Sequence, residues 1–174
     1  MMRKPLIIMT FLLFGITQAK SQSTGKAVEL PVQEQTETQQ SLPRQYSDQI
    51  MGFAKKLIGI PYRYATSNPN VGFDCSGFVS YVFKNFGFKV PRSSSEFVTA
   101  GTPVKLENAK VGDVLIFTGS NPKIRRIGHV GIIYSIDGDE IQFIHASSGK
   151  ANGVTITTLN TYYKSRFIKA VSII

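Results

Sequence analysis

The segment GFDCSGFVSYVF, residues 72–83, carries the strongest structural signal in this 174-residue chain. Asp74 is a favourable N-cap residue for a helix, and Gly87 is a favourable C-terminal stop. Between them, apolar residues recur at the three- and four-residue spacing of one helix face: Phe78, Val79, Val82, Phe83 and Phe86. The segment therefore predicts an amphipathic helix that begins near Asp74–Cys75 and packs an aromatic face against a core.

Two further helices are predicted on either side of this segment. Upstream, apolar residues share one helical face until Gly59 ends the pattern: Ile50, Phe53, Ala54, Leu57 and Ile58. Downstream, Ser93 and Glu96 have the spacing of a capping box, which predicts a short helix. The intervening PYRYATSNPNVGF, residues 61–73, is rich in turn residues and predicts a loop.

The second half of the chain is typical of β-structure. Segments rich in β-branched and aromatic residues are separated by Gly, Asn and Asp: Val114–Phe117, His129–Ser135, Ile141–His145, Val154–Thr158 and Phe167–Ile173. Helices followed by strands indicate an α+β domain in which N-terminal helices pack on an antiparallel β-sheet. We expect this domain to span residues 46–174.

The N-terminus has the pattern of a secretory signal peptide. Arg3 and Lys4 precede an apolar run of eleven residues, Leu6 to Ile16, which is too short to span a bilayer. We place the signal at residues 1–21, with cleavage after Ser21 or after Ala19, and keep an uncleaved anchor as the alternative. Residues 22–45 are rich in Gln, Glu, Thr and Ser, so we expect a disordered polar linker.

Charge and cysteine content narrow the function. Without the signal the chain has 17 basic and 11 acidic residues, and this excess favours anionic partners. For an exported monomer without stable membrane insertion, we expect a polyanionic cell wall or an anionic peptide and no nucleic acid. Exported proteins usually carry cysteines in pairs, but Cys75 is the sole cysteine. It is either a buried small hydrophobe or a working thiol.

The position of Cys75 favours the working thiol. It lies in the first turn of the predicted helix, behind the Asp74 cap. A helix N-terminus offers unpaired N–H groups and partial positive charge, and both lower the pKa of a thiol. We therefore expect Cys75 to be partly thiolate near neutral pH.

A reactive thiol needs a base, and the chain has only two histidines, His129 and His145. They lie on two strands joined by one hairpin. A three-residue loop at residues 136–138 would place His129 opposite His145 on one sheet face. A two-residue loop at Asp137-Gly138 would place them on opposite faces. The sequence permits the pair without requiring it.

If the pair forms, a catalytic triad follows. Cys75 is the expected nucleophile, His129 the base, and His145 the group that orients His129. The N–H of Cys75 and the hydroxyl of Tyr62 are the expected donors to the oxyanion.

The stretch from Tyr46 to the C-terminus resembles the NlpC/P60 family of cell-wall cysteine peptidases. The segments that carry the resemblance occur in order: GIPYRYA, GFDCSGFVSYVF, VPRSSSEF, GDVLIF, GHVGII and FIHAS. The resemblance implies a papain-like α+β fold that needs no cofactor and cleaves peptidoglycan stem peptides, typically after D-glutamate at its γ-carboxyl.

By position, the resemblance matches the family's catalytic residues to Cys75, His129 and His145, and its tyrosine to Tyr62. It also implies substrate-binding roles for Asp74, Ser76 and Ser94, with Arg92 preceding that last serine as usual. Two departures stand out: Tyr64 replaces a tryptophan, and Ala65-Thr66 replaces two glycines.

Two other readings remain open, and a third is disfavoured. The same thiol could transfer an acyl group to an acceptor other than water, or the domain could bind cell wall without catalysis. A metal site built from Cys75, His129 and His145 lacks the local ligand spacing of zinc sites, so we expect no metal.

Overall fold

The computed structural model describes residues 33–174. The expected signal peptide and residues 22–32 of the expected linker lie outside the described residues. Within residues 33–174, none of the helices combines the length and hydropathy that a membrane-spanning helix requires.

Within residues 33–174 the chain forms three α-helices, two 3-10 helices and eight strands. The α-helices are α1 (Gln33–Lys55), α2 (Cys75–Asn85) and α3 (Thr161–Arg166), and 3-10 helices cover Ser94–Thr99 and Leu106–Asn108. The strands are β1 (Ser67–Asn68), β2 (Gly72–Phe73), β3 (Thr102–Val104), β4 (Val114–Thr118), β5 (Ile127–Asp137), β6 (Glu140–Ser147), β7 (Gly153–Thr158) and β8 (Phe167–Ser172).

Six of these strands form one sheet with the order β3-β8-β4-β5-β6-β7, and every neighbouring pair is antiparallel. Each of the five strands predicted from the sequence is present in it. The predicted α+β class is therefore confirmed.

Helix α1 begins earlier than predicted. It starts at Gln33, so residues 33–45 of the expected polar linker are helical. Gln and Glu have good intrinsic helix propensity, whereas the linker prediction considered only how little apolar surface the segment could bury.

The sheet separates two apolar clusters. One face packs on α2 through residues that alternate along the strands: Val114, Ile116, Val130, Ile132, Ile144 and Ala146. The intervening residues form the second cluster on the other face: Leu115, Phe117, Ile133, Phe143 and Ala170. Because strand side chains alternate between faces, one step of register decides which cluster a residue joins.

The β5–β6 hairpin has neither of the two loops considered from the sequence. Asp137 pairs with Glu140, so Gly138 and Asp139 form a two-residue loop. Gly138 has a φ of 53°, as the first central residue of a type II′ turn requires.

This loop alone would place the two histidines on opposite faces, and a β-bulge corrects the register. Ile133 pairs with Phe143 whereas Ser135 pairs with Gln142, so Tyr134 is an extra residue in β5. Beyond the bulge the register continues through the Ile132–Ile144 pair, which brings His145 beside Gly131. His129 and His145 consequently project from the same face.

The chain between α1 and β1 runs along the outer edge of β7. The N–H of Gly59 donates to the carbonyl of Val154 at 2.9 Å, and the N–H of Tyr62 donates to the carbonyl of Asn152 at 3.0 Å. We call residues 59–62 the edge clasp. It fixes the start of the loop that leads to Cys75 and covers the open edge of β7.

Helix α3 was not predicted. Asn160 caps it by accepting a hydrogen bond from the N–H of Tyr163 at 3.2 Å, but six residues are too few for a visible apolar period. The helix places Tyr163 against Phe117 and Phe143 of the second cluster.

We expect Gly131→Ala to destabilise the protein by about 1–3 kcal/mol, the usual cost of overpacking a core. A Cβ at this position would lie 2.6 Å from Cδ2 of Phe143 and 3.1 Å from Cβ of His145. Phe143 is fully buried and has no room to yield. Urea unfolding measures the change. Gly52→Ala is the matched control, because its Cβ would have no heavy atom within 4 Å. A helical alanine there should be neutral or stabilising. Equal stability of the two variants would contradict the close packing of Gly131.

Candidate active site

Cys75 is the first residue of α2, as predicted. The N–H of Gly77 donates to Oδ1 of Asp74 at 2.6 Å, so Asp74 caps the helix. Cys75 is buried, and its thiol points to the carbonyl oxygen of Gly128 at 3.9 Å. The helix start is thus packed against the backbone of β5.

The prediction of a thiolate near neutral pH does not hold in this structure. Burial raises the pKa of the Cys75 thiol, and the adjacent Asp74 carboxylate raises it further. Hydrogen bonds from the backbone N–H groups of Val130, Ser76 and Cys75 act in the opposite direction and do not prevail. The sequence argument considered the helix N-terminus and the histidine base, and it left out burial of the thiol and the negative charge of the residue that caps the helix.

The histidine pair that the sequence permits is present in the structure. Nε2 of His129 lies 2.7 Å from Nδ1 of His145, and Nε2 of His145 lies 3.0 Å from Oγ1 of Thr157. The ring of His145 stacks obliquely on Phe143, with 4.5 Å between ring centroids. The two imidazoles and the Thr157 hydroxyl form one continuous hydrogen-bonded chain.

The environment keeps both imidazoles neutral. Burial lowers the pKa of His145 to about 3, and the positive charge of Arg166 contributes to the shift. Burial also holds the pKa of His129 well below its ordinary value, and the neighbouring His145 and Arg166 lower it further. Both imidazole rings are therefore uncharged at neutral pH.

The thiol of Cys75 packs against β5, the strand that carries His129, but the two side chains are not hydrogen-bonded to each other. Cys75 and His129, both in the described part of the chain, share no hydrogen bond. The thiol contacts the backbone beside Gly128, whereas the His129 ring lies among Phe117, His145 and Tyr163.

Asp74 does more than cap the helix. Arg92 binds it with two hydrogen bonds, from Nη1 to Oδ1 at 3.0 Å and from Nη2 to Oδ2 at 2.7 Å. Nη1 of Arg92 also donates to Oγ of Ser76 at 3.2 Å. Oδ1 of Asp74 accepts two further bonds, from Gly77 and Ser76, whereas Oδ2 accepts only from Arg92.

The residues predicted to bind substrate surround one cleft of about 400 Å³ beside the thiol. Its lining contains all of them together with Cys75: Tyr62, Asp74, Ser76, Arg92 and Ser94. Tyr64 projects from the rim and is 87% exposed. Ala65 also lines the cleft and has a φ of 57°, a left-handed conformation that glycine adopts more readily. The resemblance places a glycine at this position.

Sequence reasoning missed three residues near the histidines. Thr157 lies on the same sheet face as His145, because side chains alternate along β7. The register between β6 and β7 would have indicated this contact. Arg166 and Lys150 gave no signal, because a buried arginine and a loop lysine look like surface charges in a sequence. Among the described side chains, no three His, Cys, Asp or Glu residues are grouped to hold a metal ion.

Comparison with known proteins identifies the family. The family model described as NlpC/P60 family matches residues 59–172. A crystal structure of an NlpC/P60 family protein from Bacillus cereus ATCC 10987 matches with a TM-score of 0.64 and 30% sequence identity. The match covers 73% of this chain and 40% of that one.

Two curated relatives are peptide-bond hydrolases by name. The gamma-DL-glutamyl hydrolase of Bacillus subtilis (strain 168) is 43% identical over 115 residues, which are 65% of this chain and 26% of that protein. The murein DD-endopeptidase MepS/murein LD-carboxypeptidase of Escherichia coli (strain K12) is 37% identical over 115 residues, 64% of this chain and 55% of that protein. This chain thus matches about a quarter to about half of the length of these relatives. With most of its residues matched by the family model and with the fold of a solved member, the chain belongs to the NlpC/P60 family.

Proposed function

We propose that the protein is an exported cysteine endopeptidase that hydrolyses peptidoglycan stem peptides at the bond between the γ-carboxyl of D-glutamate and the diamino acid. The observation that carries the proposal is the position of Cys75 at a capped helix start, against the strand whose His129 is held by His145 and Thr157. The names of the relatives, one acting on γ-glutamyl bonds and one on murein, support the substrate class. The signal-peptide pattern at residues 1–21 supports export.

The hydrogen-bonded chain suits His129 to act as the base. To accept a proton at Nδ1, the ring must carry its hydrogen at Nε2 and donate it to Nδ1 of His145. His145 must then carry its own hydrogen at Nε2 and donate it to Oγ1 of Thr157. The hydrogen bonds from His129 through His145 to Thr157 therefore select one tautomer of each ring. Fixing the tautomer of the base is the role of the third member of a triad.

The resting site holds a neutral thiol and a neutral imidazole. Reaction then begins when rotation about the Cα–Cβ bond of Cys75 turns Sγ from Gly128 towards Nδ1 of His129. Such contacts are often long in the absence of substrate and tighten when substrate binds.

The chemistry proceeds through an acyl-enzyme. Sγ of Cys75 attacks the γ-carbonyl carbon as its proton passes to Nδ1 of His129, and the oxyanion accepts hydrogen bonds from the N–H of Cys75 and the hydroxyl of Tyr62. His129 returns the proton to the leaving nitrogen, the C–N bond breaks and a thioester remains. A water molecule gives a proton to His129 and attacks the thioester, the C–S bond breaks, and Cys75 recovers its proton.

The cleft beside Cys75 suits the part of the substrate that precedes the cleaved bond. Oδ2 of Asp74 accepts only one hydrogen bond and retains acceptor capacity for a free amino group. Arg92, Ser76 and Ser94 offer donors to the α-carboxylate of D-glutamate. Together they fit an L-residue with a free amine followed by γ-linked D-glutamate.

Digestion of defined muropeptides tests the proposal. We expect the mature protein to release the dipeptide of the N-terminal L-residue and D-glutamate, identified by mass. In water enriched with ¹⁸O, one heavy oxygen should enter the new carboxylate, whereas an acyltransferase would join the dipeptide to an added amine.

Cys75→Ala should release nothing, and His129→Ala should lose several orders of magnitude in rate. His145→Asn should retain part of the activity, because an amide can still orient the base.

Two results would overturn this proposal. Undiminished hydrolysis by Cys75→Ala would exclude the thiol mechanism. Conversion of cross-linked muropeptide dimers into monomers, without release of the dipeptide, would replace the γ-glutamyl bond by the D,D-bond named for the Escherichia coli relative.

Alkylation of the sole cysteine tests the neutral resting pair. Thiolate is the reactive form, so a raised pKa leaves little of it at pH 7. We expect the rate of labelling by iodoacetamide to rise with pH through 9.0, the ordinary value for the thiol, and to level off above it. The inflection, read from the mass of the single adduct, is independent of how easily the reagent enters. His129→Ala should leave the inflection in place. A plateau already reached at pH 6–7, lost in His129→Ala, would instead demonstrate a thiolate–imidazolium pair.

Asp74→Asn separates amine binding from helix capping. Asparagine caps a helix as well as aspartate, but it loses the ionic bonds to Arg92, so we expect a stability loss of about 1–2 kcal/mol. The kcat/KM for stems with a free amine should fall more than tenfold, and for N-acetylated stems much less. Arg92→Met is the matched control, since it breaks the same ion pair but keeps the carboxylate. It should lose similar stability and still prefer free amines. Equal losses by Asp74→Asn on both kinds of stem would restrict Asp74 to a structural role.

A further inference from the structure

The loop between β4 and β5, residues 119–126, presents an apolar side chain among cations. Ile124 is 58% exposed although it is a large hydrophobic residue. It is surrounded in sequence by three exposed cations: Lys123, Arg125 and Arg126. We call residues 123–126 the basic tip. The basic tip does not line the cleft beside Cys75, so the proposed function leaves it without a role.

The basic tip is held in place by its own backbone and by the end of α3. Within the loop, the N–H of Ile124 donates to the carbonyl of Asn121 at 3.2 Å, which closes a turn. Nη1 and Nη2 of Arg125 donate to the carbonyl oxygens of Ser165 and Phe167, at 3.2 and 2.8 Å. Ile124 is therefore held in solvent by a turn that is anchored to the body of the protein.

The cations of the basic tip belong to a larger asymmetry of charge. The sequence contains no Asp or Glu between Asp113 and Asp137, and none after Glu140. The exposed acidic residues Asp137, Asp139 and Glu140 lie at the β5–β6 hairpin, which is the opposite end of β5 from the basic tip. Helix α3, to which the tip is anchored, adds the exposed Lys164. One end of β5 is thus basic and the other is acidic.

The exposed isoleucine decides which kind of anionic partner fits the basic tip. A soluble polyanion would be bound by the cations alone, and Ile124 would remain in water. At an anionic lipid surface, cations lie beside the phosphate groups while a neighbouring apolar side chain enters the boundary between headgroups and acyl chains. The lipid surface therefore uses both kinds of side chain in the tip.

We propose that the basic tip, together with Lys164, is a docking surface for an anionic phospholipid membrane. His129 is the third residue of β5 and lies at the same end of that strand as the tip, so docking turns this end of the sheet towards the lipid. Each cation near such a surface strengthens binding about fivefold, and four of them give a weak and reversible attachment without insertion of the backbone. Such docking goes beyond the proposed function and does not depend on which bond the enzyme cleaves.

Co-sedimentation with vesicles tests this surface. The mature protein, which lacks the apolar run at residues 6–16, is mixed with vesicles of phosphatidylcholine, with or without phosphatidylglycerol. We expect binding to the anionic vesicles and its loss on addition of NaCl. Arg126→Gln should weaken the partition coefficient about fivefold, as for one cation. Ile124→Ser should also weaken it about fivefold, as for an isoleucine that is partly removed from water.

Two matched controls separate the tip from the rest of the surface. Lys89→Gln removes an exposed cation from the segment that follows α2, and Ile136→Ser removes an exposed isoleucine beside the acidic hairpin. Both variants should bind vesicles like the wild type.

Fluorescence provides an independent measurement, because the chain contains no tryptophan. In the Ile124→Trp protein, anionic vesicles should shift the emission to shorter wavelength, and brominated acyl chains should quench it. Ile136→Trp is the control and should show neither effect. Both positions are exposed, so urea unfolding of the two variants should match the wild type.

Equal binding to vesicles without phosphatidylglycerol would overturn the proposal, because the cations would then contribute nothing. Binding that depends on Arg126 but not on Ile124, with no shift in emission, would replace the membrane by a soluble polyanion, and inorganic polyphosphate would then compete for the protein. Absence of binding to both kinds of vesicle would leave the basic tip as a solvated surface. None of these measurements involves hydrolysis, so the proposed function is tested separately.

Discussion

The extra residue in β5 determines the arrangement of the whole site. The Gly138-Asp139 turn sets a register in which His145 would point into the α2 core, away from His129. Tyr134 shifts that register by one residue, so both imidazoles emerge on the face that holds Phe117 and Phe143. A bulge leaves one residue unpaired in the ladder, and here it allows a 2.7 Å hydrogen bond between the two histidine rings. The same close packing makes Gly131 necessary, because His145 occupies the space of a side chain there.

Charge is distributed unequally around the reacting groups. On the thiol side, Asp74 and Arg92 neutralise each other at 2.7 Å and leave hydrogen-bonding capacity without net charge. On the histidine side, burial keeps the imidazoles unprotonated, and the positive charge of Arg166, whose hydrogen-bond partners are neutral, adds to the effect.

Much of the fold could be predicted from the sequence, because local patterns encode the helices and strands. The residues that line the cleft were indicated mainly by the family resemblance. The stripe from Phe78 to Phe86 and the Asp74 cap defined α2, and period-two alternation defined the strands. The resemblance to the NlpC/P60 family indicated Tyr62, Arg92 and Ser94, and all three line the cleft beside the thiol. Features that depend on distant groups were missed. The bulge has no distinctive residue, the cap that starts α2 also raises the pKa of Cys75, and Arg166 becomes a buried cation only when α3 packs beside β4.

The edge clasp has a consequence for the order of assembly. It joins residues 59–62 to residues 152–154, which are about ninety positions apart, and contacts of such separation pay a large loop-closure entropy before they form. The clasp hydrogen bonds of Gly59 and Tyr62 therefore form only after β7 has been made and folded. During synthesis, the stretch that carries Cys75 emerges long before the strand that completes its surroundings. A partly made chain consequently exposes Cys75 before the edge clasp has formed, and the cleft beside the thiol is completed late in folding.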